Sequence, residues 1–105
     1  MMQKLAGVVC LMLVGSSLAM AAGDPLAGRS KSEACLGCHG IPSYNNVYPT
    51  YRVPKLSGQH ADYIVAALKA YRDGQRKHAT MSAQTAGMSE QDMADIAAFW
   101  QSQGK

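Results

Sequence analysis

Cys35-Leu36-Gly37-Cys38-His39 puts two thiols and an imidazole within five residues, and no other segment limits the fold as strongly. Two cysteines at this spacing close too small a ring to staple distant parts of a chain. The chain has 105 residues, 48% of them hydrophobic and 16% charged, which makes room for one folded domain and argues against disorder. A domain this small has a thin core and often needs a staple of some kind. A group held by the cysteines and the histidine is therefore expected to complete the core.

The first residues read as a leader. Met1-Met2-Gln3-Lys4 is a short positive start, Leu5 to Val14 is apolar, and Ala19-Met20-Ala21 supplies the small residues a signal peptidase reads. Gly15-Ser16-Ser17 breaks the apolar run well before the roughly 20 residues needed to span a bilayer. Val9 stands before Cys10 where a lipoprotein signal wants a small residue. The expectation is a cleaved export signal over residues 1–21 and one domain over residues 22–105, working in the periplasm. The formal charge of +3 becomes +2 once Lys4 is removed, and no Lys/Arg run exists, so nucleic acid is not an expected partner.

Helices dominate the chain after the leader. Asp24-Pro25 offers a cap and a first-turn proline for a helix reaching about Ala34. Tyr63, Ile64, Ala67, Leu68 and Tyr71 recur at helical spacing within a second helix over about Gln59 to Asp73, closed by Gly74. Ser89-Glu90-Gln91-Asp92 resembles a capping box, with Met88 and Met93 as its hydrophobic staple, and opens a third helix to about Ser102. Pro42, Pro49 and Pro54, paired asparagines and three tyrosines give Gly40 to Ser57 a loop composition without strand alternation.

The C-x-x-C-H spacing is that of covalent c-type haem attachment. Two thiols at the end of a helix can add to the two vinyl groups of one porphyrin, and the next histidine can bind the iron as proximal ligand. A thioredoxin-like site would want a βαβ pattern, which is missing. A zinc site would have to recruit His60 and His78 at irregular spacing to reach four ligands. A plain disulfide leaves His39 unexplained. For the opposite side of the iron, Met93 has a packing duty inside the last helix and Met88 is the other half of the staple. Met81 lies in Lys77-His78-Ala79-Thr80-Met81-Ser82-Ala83, read as a loop with no apolar stripe to absorb it, and is the expected distal ligand. His78 is the main competitor, and His60 reads as a surface or capping residue.

These residues resemble the class I c-type cytochromes, and most closely one haem-binding half of the cytochrome c4 type. The resemblance rests on Cys35 to Gly40, Pro54-Lys55-Leu56-Ser57-Gly58-Gln59-His60-Ala61-Asp62-Tyr63, Tyr71-Arg72-Asp73-Gly74-Gln75-Arg76, Met81, and Ser89 to Phe99. It implies an all-α fold, three main helices plus loops around one covalently bound haem c. Cys35 and Cys38 would be the thioether sites, His39 the proximal and Met81 the distal iron ligand. The carbonyl of Pro54 would accept from the proximal imidazole, and Gly28 would meet Phe99 or Trp100 where the first and last helices cross. Met88 falls where the family usually has leucine.

Two departures stand out. Cytochrome c4 carries two haem sites and this chain has a single motif. Ser43 to Arg52 is inserted before Pro54, which leaves contacts of Tyr51 or Arg52 with the haem propionates open. The implied function is single-electron transfer between transient donor and acceptor proteins, with peripheral association with membrane respiratory complexes, and not enzymatic turnover. The alternatives are a dimer or a subunit of an oxidoreductase complex. A haem peroxidase, from another class, would require Met81 to be absent or labile.

Overall fold

The computed structural model describes residues 23–48 and 50–104, so the expected leader and Cys10 lie outside the described residues. Helix α1 (Pro25–Lys31) begins as its composition dictates, with the Asp24 carboxylate accepting from the Leu26 amide at 3.0 Å. It stops earlier than Ala34. Ser32 turns to φ −95°, ψ 6° and donates its N–H to the Arg29 carbonyl at 3.2 Å, which tightens the last turn. Helix α2 (Glu33–His39) restarts from that residue and carries the whole Cys-His motif. The expected single helix is thus two, and His39 ends the second.

The tyrosine-rich segment holds a feature that its composition did not announce. β1 (Asn45–Asn46) pairs antiparallel with β2 (Tyr51–Arg52), Asn45 opposite Arg52 and Asn46 opposite Tyr51. The Val53 amide extends the pairing to the Tyr44 carbonyl at 3.0 Å. Two-residue strands are too short to show alternation in sequence. Ser43, just before them, sits at φ 56°, a left-handed conformation that few non-glycine residues adopt.

Helix α3 (Ala61–Arg72) is tied at its start by the Gln101 side chain, which accepts from the Ala61 amide at 2.6 Å. Beyond its end Gly74 takes φ 83°. Helix α4 (Ala79–Thr85) replaces the loop expected around Met81. Its cap is His78, whose Nδ1 accepts from the Met81 amide at 3.5 Å, and Thr85 is fully buried with its hydroxyl donating to the Met81 carbonyl at 2.9 Å. Helix α5 (Glu90–Ser102) opens on a complete capping box. Ser89 Oγ accepts from the Asp92 amide and Asp92 Oδ2 accepts from the Ser89 amide, both at 3.0 Å.

α5 is the centre of the packing, with α1 crossing it and α3 lying alongside. Ile64 and Leu68 of α3 meet Met93, Ile96, Ala97, Phe99 and Trp100 of α5 in one core, and Met81 and Met88 pack on its margin. At the α1–α5 crossing Gly28 is buried, and a Cβ there would overlap the Asp95 carbonyl and come within 2.9 Å of the Phe99 Cβ. The expected glycine–aromatic contact therefore involves Phe99. Beside it Lys31 reaches Asp95 at 2.6 Å and Asp92 at 2.9 Å. Asp95 also accepts from the Asp24 amide and from Gln91, both at 2.8 Å. No helix among the described residues is long and apolar enough to cross a membrane.

Candidate functional site

A cavity of about 490 Å³ opens between α2, the segment from Tyr51 to Gln59, α3 and α4. Leu56, Ile64, Ala67, Leu68 and Ile96 give it apolar walls, while Tyr51, Arg52, Lys55, Gln59, Arg76 and His78 add polar groups. Its size falls in the range of about 300–1,000 Å³ that small-molecule and cofactor sites occupy.

Cys35, Cys38, His39, Pro54 and Met81 all line this one space. The two thiols are free, half-buried and three residues apart on α2, so they share a face of that helix. Burial pushes the Cys35 thiol above its ordinary pKa, with a smaller contribution of the same sign from Cys38. The His39 Nδ1 donates to the Pro54 carbonyl at 2.8 Å, which fixes the tautomer and leaves Nε2 as the lone pair available to a metal. Trp100 holds the ring edge-on, with centroids 6.4 Å apart.

The histidines and methionines sort differently. His60 precedes α3, is exposed and makes no side-chain capping bond there. His78 lines the cavity, but its Nδ1 caps α4 and its ring packs edge-on against Tyr51, centroids 4.5 Å apart. Met93 is fully buried in the core, as its staple position required. Met88 packs against the core too, but it also lines the cavity, so its environment is not packing alone. Met81 is half-buried and packs on the core margin, which corrects the picture of a thioether with no packing duty. Among the described residues no group of three or more His, Cys, Asp and Glu side chains is placed to share a metal ion.

Sequence reasoning left the role of the inserted segment open. Tyr51 lies against both His78 and Thr80, with its hydroxyl 3.3 Å from the Thr80 Oγ1. No local signal marks a contact at a sequence separation of 29 residues; only the aromatic content of the insertion hinted at one.

The cytochrome c family model matches residues 26–104. The chain belongs to the cytochrome c family. It is 46% identical over 85 residues to cytochrome c-554(548) of Halomonas halodenitrificans, covering 78% of this chain and 99% of that one. It is 39% identical over 102 residues to cytochrome c4 of Pseudomonas aeruginosa, covering 97% of this chain but 49% of the relative. The crystal structure of reduced recombinant cytochrome c4 from Pseudomonas stutzeri superposes with a TM-score of 0.58 over 79% of this chain and 51% of that one, at 23% identity. That likeness shows the cytochrome c fold. The chain spans about half the length of the cytochrome c4 relatives it matches.

The family's cofactor is covalent haem c, and the residues present fit it. The cavity is mostly apolar, the Cys35 and Cys38 thiols that line it are unbridged, and the His39 ring is oriented through Nδ1, which leaves Nε2 free. As a member of the cytochrome c family this chain is an electron carrier, and it holds one C-x-x-C-H motif. Carriers of this kind meet their redox partners transiently, and bacterial c-type cytochromes typically work in the periplasm.

Proposed function

We propose that this cytochrome is exported by a cleaved leader over residues 1–21 and shuttles single electrons between periplasmic redox proteins. In this reading Cys35 and Cys38 would carry the thioether bonds to haem, and His39 and Met81 would hold its iron. The observation that carries it is the convergence of Cys35, Cys38, His39 and Met81 on one cavity, with His39 braced by Pro54. Bound haem supplies a one-electron Fe(III)/Fe(II) couple, which a thioether ligand biases toward Fe(II).

The protein's own residues do the rest. The Pro54 carbonyl holds the His39 proton at Nδ1 and keeps the ring from rotating between oxidation states. α4 holds the Met81 backbone through His78 at one end and Thr85 at the other. With haem filling the cavity, the apolar walls from α3 and α5 would keep water from it and limit reorganisation around the charge. With haem bound, His39 and Met81 would hold the iron and leave no coordination site open to a substrate, so the reading is a carrier and not a peroxidase. His78 is the weaker distal candidate because its Nδ1 already serves as the cap of α4.

The test is made on protein purified after export. A mature N-terminus at Ala22, haem that survives denaturing electrophoresis, a reversible one-electron titration and no peroxide turnover are the expected results. Haem that extracts into acidified solvent, or sustained peroxide consumption, would overturn the reading.

A further inference from the structure

The inserted segment before Pro54 reaches across the cavity to the helix that carries Met81, and Tyr51 makes the crossing. Its ring meets His78 edge-on, centroids 4.5 Å apart and planes at 89°, and its hydroxyl lies 3.3 Å from the Thr80 Oγ1. Both partners stand immediately before or within the first turn of α4. His78 in turn accepts from the Met81 amide at 3.5 Å, and its carbonyl accepts from the Ser82 amide at 2.8 Å.

α4 needs such support. Seven residues are far short of the roughly 12–15 at which an isolated helix becomes even marginal in water. Its C-terminal end is fixed by buried Thr85, whose hydroxyl reaches the Met81 and Ser82 carbonyls at 2.9 and 3.3 Å. Its N-terminal end is exposed at Ala79 and Thr80. Tyr51 is itself held in place by the pairing of β1 with β2, opposite Asn46, and by the Val53–Tyr44 bond that continues it. Tyr51, His78, Thr80 and Met81 all line the cavity, so this contact closes one of its sides.

We propose that Tyr51 is a positioning residue that straps the Met81 segment over the cavity, setting how readily the Met81 side opens to small external ligands. The proposal rests on the reading of Met81 as distal ligand. It also makes a statement about α4 that stands apart from iron chemistry: without the Tyr51 ring, the first turn of α4 opens more often.

Two readouts test it on the intact holoprotein, in Tyr51→Phe, Tyr51→Ala, Met81→Ala and Tyr48→Ala. Tyr48 belongs to the same insertion but is 93% exposed, so it controls for general disturbance of the segment. The readouts are imidazole affinity of the oxidised protein and hydrogen exchange at the Ser82 amide. Tyr51→Ala should raise imidazole affinity and speed Ser82 exchange by about tenfold each, the scale of one lost aromatic contact. Tyr51→Phe keeps the ring and should stay within about threefold of wild type, since it loses one long hydrogen bond. Tyr48→Ala should change neither.

Unchanged values in Tyr51→Ala, or an equal effect in Tyr48→Ala, would overturn the strap. Met81→Ala separates the two claims. If it leaves imidazole affinity unchanged, the ligand assignment fails, while Ser82 exchange in Tyr51→Ala still decides whether the strap exists.

Discussion

The His39 Nδ1 lies 2.8 Å from the Pro54 carbonyl, a bond that links the end of α2 to the segment leading into α3. A carbonyl can only accept, so the proton is on Nδ1, and the ring is a stronger donor through Nε2 than an unbraced imidazole. Loosening the carbonyl should weaken that donation and make Fe(III) less favourable. Pro54→Gly is expected to raise the midpoint potential by about 30 mV, a threefold change at about 59 mV per decade for one electron. Voltammetry of the two proteins checks it, and a lowered potential would contradict the role given to the bond.

At the α1–α5 crossing, Gly28→Ala should destabilise the fold. The new methyl meets the Asp95 backbone and the Phe99 Cβ, which cannot swing aside as a flexible side-chain end would. Overpacking of this kind costs about 1–3 kcal/mol, so the thermal midpoint should fall by about 4–8 °C per kcal/mol. An unchanged midpoint would mean that the helices separate freely.

The clasp beside that crossing makes stability depend on pH. Lys31 holds the Asp95 carboxyl down at about 2, assisted by the Asp24 amide and Gln91, and Lys31 with the Ser89 amide lowers Asp92 as well. Carboxyls whose folded pKa lies below the ordinary 3.8 contribute stability that is complete above that value. The contribution is lost as pH falls from about 3.8 toward 2. Lys31→Met should therefore be less stable than wild type at pH 6, and the gap should narrow below pH 4. Denaturant titrations across that range measure it, and a gap independent of pH would rule the linkage out.

Electron exchange should respond only weakly to salt. Of the basic residues along α3 and after it, Lys69 pairs with Glu90 at 3.5 Å, Arg72 pairs with Asp73 at 3.0 Å, and Arg76 lies 4.6 Å over the Tyr71 ring. Leu36, inside the C-x-x-C-H motif, and Ile41, just after it, are 38% and 49% exposed. Docking through such an apolar surface at low net charge should give rates that fall less than about threefold between low and physiological ionic strength. Stopped-flow reactions with anionic and cationic one-electron reagents test this, and a steep fall with the anionic reagent alone would show charge-driven docking.

Much of this was legible in the sequence, for local reasons. The C-x-x-C-H motif and the capping box of α5 are short-range patterns; the motif lies on one helix, and the capping box appears where expected. The break at Ser32 was hidden because neither glycine nor proline marks it. α4 was hidden because its cap is a histidine and its one fully buried side chain is a threonine. Met88 read as packing because the staple places it in the core, and only the tertiary arrangement brings it to the cavity as well. The Tyr51–His78 contact depends on the pairing of two-residue strands and has no periodic signature.

The central claim is that Met81, and not Met88, completes the iron coordination begun by His39. The weak near-infrared band of the oxidised protein, which reports an Fe(III)–thioether bond, tests it most directly. The band should be present in wild type, retained in Met88→Leu and absent from Met81→Ala with the haem still covalently attached. Loss of the band in Met88→Leu together with its survival in Met81→Ala would contradict the account.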